Sequence, residues 1–274
     1  MTRATLVRLI AAMLVIAAVT SVILVQFDWF GPAASEQRGP IDTLFDVMIV
    51  LSCLVFSIVM VMLVYALWRY RAKPGDESDG EPIHGNTRLE VAWTLIPTVI
   101  VLFGAGYSWV VLDDIEAKEP DSMPLRVTGQ QFEWTFEYPE AQIGESNGEQ
   151  QYVTTHALHV PVDRQIDFTV DALDVIHSFW VPEWGIKRDL VPQGFTGDEV
   201  DNQFVVTPDE EGTYSLVCTE LCGIGHATMR APVVVESQQD FDRWLADQRQ
   251  QQEGAAGSAS ASGSSSGQSA SGGT

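Results

Sequence analysis

Residues 131–138 read Gln-Phe-Glu-Trp-Thr-Phe-Glu-Tyr, so that a large aromatic side chain occupies every second position. An alternation with period two is typical of a β-strand with one face in a core and the other in water. Residues 166–170 repeat the pattern, with Ile, Phe and Val alternating with Asp and Thr. These two stretches predict that this part of the chain folds as β-sheet.

Further stretches have strand character and are separated by Gly and Pro; they are residues 152–160, 203–206, 213–218 and 232–235. Short strands at such spacing, with no helical periodicity between them, predict an all-β Greek-key sandwich or barrel over residues 113–252. Ser237 and Asp240 resemble the start of a short closing helix. Residues 253–274 are mostly Gly, Ser and Ala, and we expect them to be disordered.

The N-terminal part of the chain, before the predicted β domain, has a different pattern, in which long apolar runs carry no charge. Residues 47–68 and 91–112 are 22 residues each, long enough to cross about 30 Å of hydrocarbon as helices. They predict a transmembrane helical hairpin within residues 43–112. A shorter apolar run near the N-terminus makes residues 1–30 either a signal peptide or a first transmembrane helix, and the sequence leaves both open.

Basic residues cluster in the loop between the two long runs; they are Arg69, Arg71, Lys73 and Arg88. The positive-inside tendency places this loop in the cytoplasm and therefore places the β domain outside it. A retained first helix would give the same orientation. The sequence thus predicts a multi-pass protein of the cell membrane with an extracytoplasmic C-terminal domain.

The negative charge is concentrated in the predicted outer domain. Residues 113–274 hold 28 acidic and 8 basic side chains, which is 20 of the 22 excess negative charges. One interpretation is a docking face for a basic electron carrier, since complementary charge raises encounter rates. The other, which we favour for most of these charges, is a solvated acidic surface such as a protein working in high salt would carry. We expect no nucleic-acid partner.

Metal-binding chemistry is concentrated in residues 218–229, which read Cys-Thr-Glu-Leu-Cys-Gly-Ile-Gly-His-Ala-Thr-Met. His177 offers a second imidazole from well upstream of Cys218. Thiolates, imidazoles and a thioether suit copper; zinc is also possible from two Cys and two His, but Met229 favours copper. A C-x3-C pair outside the cytoplasm is most often a disulfide. The neighbouring His and Met count against that interpretation.

The second thiol distinguishes this cluster from a simple blue-copper centre, which needs one Cys, two His and a weak Met. Two sulfurs that bridge two copper ions would let the pair share one electron. The spacing from Cys222 to His226 could place both on one helix face, but Gly223 and Gly225 favour a folded-back loop. The remaining histidines of the predicted outer domain are interpreted as structural; they are His156 and His159.

The order of two spans and an acidic β domain, together with these motifs, resembles subunit II of the haem-copper cytochrome c oxidases over residues 42–245. The resemblance implies a cupredoxin-like fold and a dinuclear copper A centre. The side-chain ligands it implies are His177, Cys218, Cys222, His226 and Met229. It also implies that the backbone carbonyl of Glu220 completes the site, and that the Glu220 carboxylate reaches a magnesium or manganese ion shared with subunit I.

The resemblance assigns roles to a few positions outside the ligand set. Phe132 stands where the family commonly has the Trp that receives electrons from cytochrome c, and Trp134 matches a second aromatic. Asp174 matches an acid expected at the carrier-docking or ligand-supporting surface. Residues 90–97 look like the start of the family's second transmembrane helix, and Glu90 matches an acid at the mouth of a proton path. An interfacial carboxylate that marks the helix end is the alternative for Glu90.

The expected function is therefore that of the electron-accepting subunit of an oxygen-reducing, proton-translocating oxidase, in which subunit I carries out the oxygen chemistry. Its partners would be subunit I, further oxidase subunits, membrane lipid, and cytochrome c or a small blue-copper donor. Two alternatives are a quinol oxidase subunit II without functional copper and a membrane-tethered copper chaperone of the thioredoxin-like kind. A third is the copper domain of nitrous oxide reductase, which would follow a large propeller domain instead of membrane helices.

Overall fold

The computed structural model describes residues 2–72, 74–75, 80, 82, 84–146, 148–193 and 202–264. The chain divides into a membrane unit, Met1–Trp29 with Pro40–Asp114, and a β unit, Phe30–Gly39 with Ile115–Thr274. Two parts of the sequence predictions, those that concern Lys73 and residues 265–274, lie outside the described residues.

The membrane unit is built from long apolar helices, which are α1 (Arg3–Val25), α2 (Arg38–Arg69) and α3 (Thr87–Ile115). By length and composition, each of the three is able to cross a membrane. The two long apolar runs of the sequence form α2 and α3, and the shorter leading run forms α1.

The strands of the β unit are β1 (Met123–Gln130), β2 (Glu133–Ser146), β3 (Glu149–Thr155), β4 (Leu158–Pro161), β5 (Ile166–Ala172), β6 (His177–Trp180), β7 (Lys187–Leu190), β8 (Gln203–Val206), β9 (Gly212–Cys218) and β10 (Arg230–Glu236). They form two five-stranded sheets, ordered β3-β2-β1-β5-β8 and β4-β10-β9-β6-β7. The pairs β1–β5 and β4–β10 are parallel and the other pairs are antiparallel. This architecture confirms the predicted all-β sandwich, which follows the membrane helices along the chain.

The core lies between the sheets and is rich in aromatic rings. Trp134, Phe136 and Tyr138 of β2 are all buried, as the alternation of residues 131–138 predicts. From β5 and β6, Phe168 and Phe179 meet with ring centroids 5.4 Å apart. Rings of this size remove much apolar surface from water, and this burial holds the two sheets together.

Several strands differ from the sequence prediction, since β1, β6 and β7 are not among the predicted stretches. β1 was not predicted, because Pro124 and Gly129 within it are residues that strands disfavour. Residues 152–160 were predicted as one strand, but the chain bends at His156 and crosses from the first sheet to the second, giving β3 and β4. His156 therefore lies in a connection, where its Nδ1 is 3.0 Å from the Trp134 carbonyl oxygen.

The closing helix α4 (Gln238–Ser264) begins where the sequence predicts. The Ser237 hydroxyl accepts the Asp240 N–H at 3.2 Å and donates to the Asp240 carboxylate at 2.7 Å, which caps the helix start. Its continuation through residues 253–264 corrects the prediction that disorder begins at residue 253. This segment contains three Gly and four Ser beside its four Ala, so composition alone does not favour a helix, but it extends an existing helix and needs no new nucleus.

The far part of α4 covers an exposed sheet edge. The Gln252 side-chain amide accepts the Thr154 N–H at 3.1 Å and donates to the Thr154 carbonyl at 3.0 Å. Thr154 lies on β3, the outer strand of its sheet. An open strand edge is a template for unwanted pairing, and this contact occupies both backbone groups that Thr154 would offer to another strand.

We predict that Phe241→Ala, at the first turn of α4, lowers the stability of the β unit by about 3 kcal/mol, because removing a buried ring leaves a cavity. Phe241 is 1% exposed and its ring lies 6.2 Å from that of Tyr138. Unfolding of the detergent-solubilised chain, followed by near-ultraviolet circular dichroism, measures the change. Asp247→Ala on the exposed side of α4 is the control and should change stability by less than about 0.5 kcal/mol. Equal losses in the two variants would contradict the packing role.

Candidate metal centre

A strand pair joins two segments that are far apart in sequence. β6 pairs with β9 so that Phe179 lies opposite Cys218, and the Thr219 N–H extends the ladder by donating to the Ser178 carbonyl at 3.1 Å. This ladder brings the start of β6, where His177 lies, beside the end of β9. The His177 Nδ1 atom is 3.9 Å from the Cys218 sulfur.

The chain after Cys218 folds back on itself instead of forming a long helix. Gly223 has φ of +135°, a conformation that side chains rarely adopt, and the His226 N–H donates to its carbonyl at 3.1 Å. A short 3-10 turn follows at His226–Thr228. The Cys218 N–H then donates to the Met229 carbonyl at 3.1 Å and closes the loop. We call residues 219–229 the return loop.

The return loop gathers its donor atoms around the two sulfurs. Cys218 Sγ and Cys222 Sγ are 3.8 Å apart and are not bonded to each other. Cys222 Sγ is 3.7 Å from both the His226 Nδ1 and the Met229 Sδ. The Glu220 carbonyl oxygen is 3.3 Å from Cys218 Sγ. All the donors proposed from the sequence are therefore within one cluster, each joined to it by a contact no longer than the 3.9 Å between His177 and Cys218.

The spacing of these atoms fits bound metal. Two thiolates at about 2.3 Å from one ion and at a tetrahedral angle stand roughly 3.8 Å apart, which matches the separation of Cys218 and Cys222. The ligand atoms of His177, Cys218 and Cys222 all lie within 4.8 Å of one another. Sulfur and imidazole donors without a carboxylate oxygen among them favour copper over hard cations.

Four of the five side-chain donors are buried, and His226 is half-buried. His177 and Met229 have no exposed surface, and Cys222 is 3% exposed. Burial raises the pKa of the Cys222 thiol to about 11, and the neighbouring Cys218 adds to the rise. Since a metal ligand must be a thiolate, metal binding at neutral pH has to displace a proton from this group.

Asp174 supports the remote imidazole from behind. Its Oδ1 lies 2.8 Å from the His177 Nε2, and the Val175 N–H donates to the same oxygen at 2.7 Å. Partial burial raises the pKa of Asp174, but hydrogen bonds from the Gln131 N–H, the His177 ring and the Val175 N–H outweigh it, so the pKa lies below its ordinary value. An ionised carboxylate in this position fixes the ring so that Nδ1 faces the sulfurs. The contact with the His177 ring matches the ligand-supporting location predicted for Asp174, and the residue is also exposed.

The two aromatics proposed for electron input occupy different environments. Phe132 is partly exposed and its ring covers the return loop, 3.2 Å from where a Cβ on Gly223 would stand. Trp134 is 1% exposed and its ring centroid lies 6.2 Å from that of His177. Trp134 therefore packs behind the imidazole in the core, whereas Phe132 retains surface that a partner can touch.

The remaining proposed site residues are carboxylates with exposed side chains. Glu220 is exposed on the return loop. Glu90 belongs to the membrane unit, where its Oε1 accepts the Asn86 N–H at 3.0 Å near the start of α3. This contact matches the alternative in which Glu90 marks the helix end.

One residue of the site was not found from the sequence. Gln131 donates from its side-chain Nε2 to the Cys222 carbonyl, and its backbone N–H donates to the Asp174 Oδ2 at 2.8 Å. An amide is a weak candidate for a soft metal ligand, and its position before the aromatic strand gave no other signal. Only the folded chain shows that it touches both sides of the donor cluster.

The sequence matches two models of one protein family. A model described as cytochrome c oxidase subunit II, transmembrane domain, matches residues 21–111, and one for the periplasmic domain matches residues 123–238. Cytochrome c oxidase subunit 2 of Thermostichus vulcanus is 31% identical over 265 residues, covering 77% of this chain and 76% of the relative. The corresponding protein of Cereibacter sphaeroides is 30% identical over 249 residues, covering 80% of each.

Among solved structures, the chain is similar to the periplasmic domain of subunit II of cytochrome oxidase of Bradyrhizobium japonicum. The identity is 26% and the TM-score is 0.40, and the match covers 50% of this chain and 98% of that one.

We predict that Gly225→Ala weakens copper binding about tenfold, as changes beside metal ligands commonly do. A Cβ at this position would lie 2.5 Å from the Phe132 ring, so either the ring or the return loop must move. Copper bound per chain, measured by elemental analysis after dialysis against a weak chelator, checks the result. Gly254→Ala on α4, where a Cβ meets nothing within 4 Å, is the matched control. Unchanged copper in Gly225→Ala would show that the loop tolerates the displacement.

Proposed function

Because the chain belongs to the cytochrome c oxidase subunit II family, we propose that its β unit holds a dinuclear copper A centre that receives electrons from an external one-electron donor. Membership makes the chain a subunit of cytochrome c oxidase with a membrane anchor and an extracytoplasmic β domain. The observation that carries the proposal is the convergence of two unbonded thiols, two imidazoles and one thioether in a single cluster.

The site consists of the proposed metal ligands and of the structure that fixes those ligands. The proposed ligands are the side chains of His177, Cys218, Cys222, His226 and Met229 and the carbonyl of Glu220. Two copper ions that share one electron across two sulfurs would supply a redox centre with little reorganisation on electron transfer. The protein supplies an arrangement fixed by the β6–β9 ladder and kept dry by burial, so that little rearrangement of the ligands is needed when the charge changes.

The wider reaction follows from the role of the family. We propose that the donor, either cytochrome c or a small blue-copper protein, contacts the partly exposed Phe132 over the return loop. Electrons would continue to haem in subunit I, where oxygen is reduced to water and protons are translocated. The exposed carboxylate of Glu220 is free to reach a magnesium or manganese ion shared with subunit I, and Glu90 stays a proposed mouth of a proton path.

The alternatives make different demands on the donor cluster. A thioredoxin-like copper chaperone would have its cysteine pair at the start of a βα unit. Here Cys218 ends β9 and Cys222 lies in the return loop, which leads through the short turn His226–Thr228 to β10. A quinol oxidase subunit II takes electrons from a lipid-soluble donor and has no need of the copper ligands. The complete donor set favours copper A over both.

We predict that the detergent-solubilised chain binds two copper ions and gives a seven-line hyperfine pattern in electron paramagnetic resonance when mixed-valent. Replacing Cys218 or Cys222 by Ser should abolish this signal, because both thiols are proposed ligands of the copper pair. His156→Ala is the control and should leave the pattern intact, since His156 lies in the connection between β3 and β4. Elemental analysis of the same samples distinguishes copper from zinc.

Different outcomes would contradict different parts of the proposal. A four-line spectrum would show one localised copper instead of a shared pair. A chain that binds no copper after expression in copper-replete cells would favour the quinol oxidase alternative. Loss of the signal in a folded His156→Ala variant would show that the ligand assignment is wrong.

We also predict that the apparent affinity for copper falls at least about tenfold for each pH unit between pH 8 and pH 6. The raised pKa of Cys222 keeps this thiol protonated throughout that range, and every thiol that becomes a ligand must release its proton. Competition titrations with a chelator of known pH dependence measure the slope. Cys222→Ser, which has one thiol fewer, should give a shallower slope. An affinity independent of pH would mean that the thiols are not ligands.

A further inference from the structure

Gln131 joins two parts of the donor cluster by donating two hydrogen bonds, one from its backbone and one from its side chain. Its backbone N–H donates to the Asp174 Oδ2 at 2.8 Å, and the other oxygen of Asp174 holds the His177 ring at 2.8 Å. Its side-chain Nε2 donates to the Cys222 carbonyl on the return loop. A single residue thus connects the support of the remote imidazole to the peptide that carries the second thiol.

The side-chain bond acts at the peptide that joins Cys222 to Gly223. The Cys222 carbonyl leads into Gly223, which has φ of +135° and lacks the Cβ that would restrict rotation. A Cβ on Gly223 would stand 2.8 Å from the Gln131 Nε2, so the amide lies directly against this peptide. Rotation of the Cys222–Gly223 peptide would move the Cys222 sulfur relative to Cys218 and His226. The amide of Gln131 opposes that rotation.

We infer that Gln131 is a positioning residue for the copper centre, acting through the Cys222 carbonyl to set where the second sulfur lies. The inference rests on the proposed copper function. It requires no contact between Gln131 and metal, since the amide acts through the backbone that bears the ligand. Partners of this kind around metal ligands commonly change metal affinity about 10- to 100-fold when they are removed.

The position of Gln131 allows a positioning role to be separated from a folding role. Gln131 has an exposed side chain outside the core, and Gln130 beside it is exposed as well. Replacing either one by Met keeps the chain length and removes the amide without opening a cavity. Only the change at residue 131 removes the bond to Cys222.

The test compares Gln131→Met with Gln130→Met in the copper-loaded, detergent-solubilised chain. We expect Gln131→Met to release copper to a Cu(I) chelator after reduction about tenfold faster than the wild-type chain, and to shift the hyperfine splitting of the mixed-valent signal. Gln130→Met should match the wild-type chain in both. Thermal unfolding of the copper-free variants should be the same, because no core contact is lost.

A second variant keeps the shape of the residue 131 side chain and replaces its hydrogen-bond donor by an acceptor. Gln131→Glu is isosteric but directs a negatively charged acceptor at the Cys222 carbonyl and the sulfurs. We expect it to lose the bond as Gln131→Met does, and in addition to lower the reduction potential, because negative charge stabilises the oxidised centre. This variant repeats the test if Gln131→Met does not fold.

Two results would overturn the inference while leaving the copper proposal standing. One is a wild-type chain with two coppers and a seven-line signal in which Gln131→Met and Gln130→Met behave identically. The other is faster copper release from Gln131→Met that is matched by an equal loss of stability in the copper-free chain, which would show a packing role. A wild-type chain that binds no copper overturns both proposals.

Discussion

The structure of the candidate centre depends on the pairing of β6 with β9. Two residue pairs of this ladder, extended by the bond from Thr219 to Ser178, place His177 beside Cys218 although a long stretch of chain separates them. The aromatic core behind β6 fixes the ladder, because Phe179 cannot move without disturbing Phe168. The remote imidazole is therefore positioned by the folding of the sandwich, and the return loop has to supply only the nearby donors.

This arrangement has a consequence for the chemistry of the thiols. The burial that keeps water from Cys222 disfavours the ionised form of its thiol and raises its pKa. A positive ion at the site would offset this disfavoured charge, so the burial that opposes ionisation of free thiols also strengthens their attraction to metal. Asp174, with its lowered pKa, adds a fixed negative charge behind His177 and favours a cation further.

The sequence predicts those parts of the fold that depend on repetition. Alternating aromatics identify β2, and uncharged runs long enough to span a bilayer identify α2 and α3. Such a period or length can be recognised without knowing which residues are neighbours in space. β1 was missed because Pro124 and Gly129 are tolerated only through the pairing with β2 and β5. The donors of the return loop were found because their chemical types are rare together. Gln131 was not, since a hydrogen bond to a carbonyl in a distant part of the chain leaves no pattern in the sequence.

Phe132 is partly exposed at the surface and also packs against the return loop. Its ring fills the space above Gly225, where even a Cβ would lie 2.5 Å from it, and it directly follows Gln131, which holds the Cys222 carbonyl. Adjacent residues thus hold the return loop by packing and by hydrogen bonding. A substitution at residue 132 would change the surface offered to a donor. It would also change the packing against the return loop, which carries Cys222 and His226. Under the proposed function, the choice of donor and the geometry of the ligands would therefore be coupled at this position.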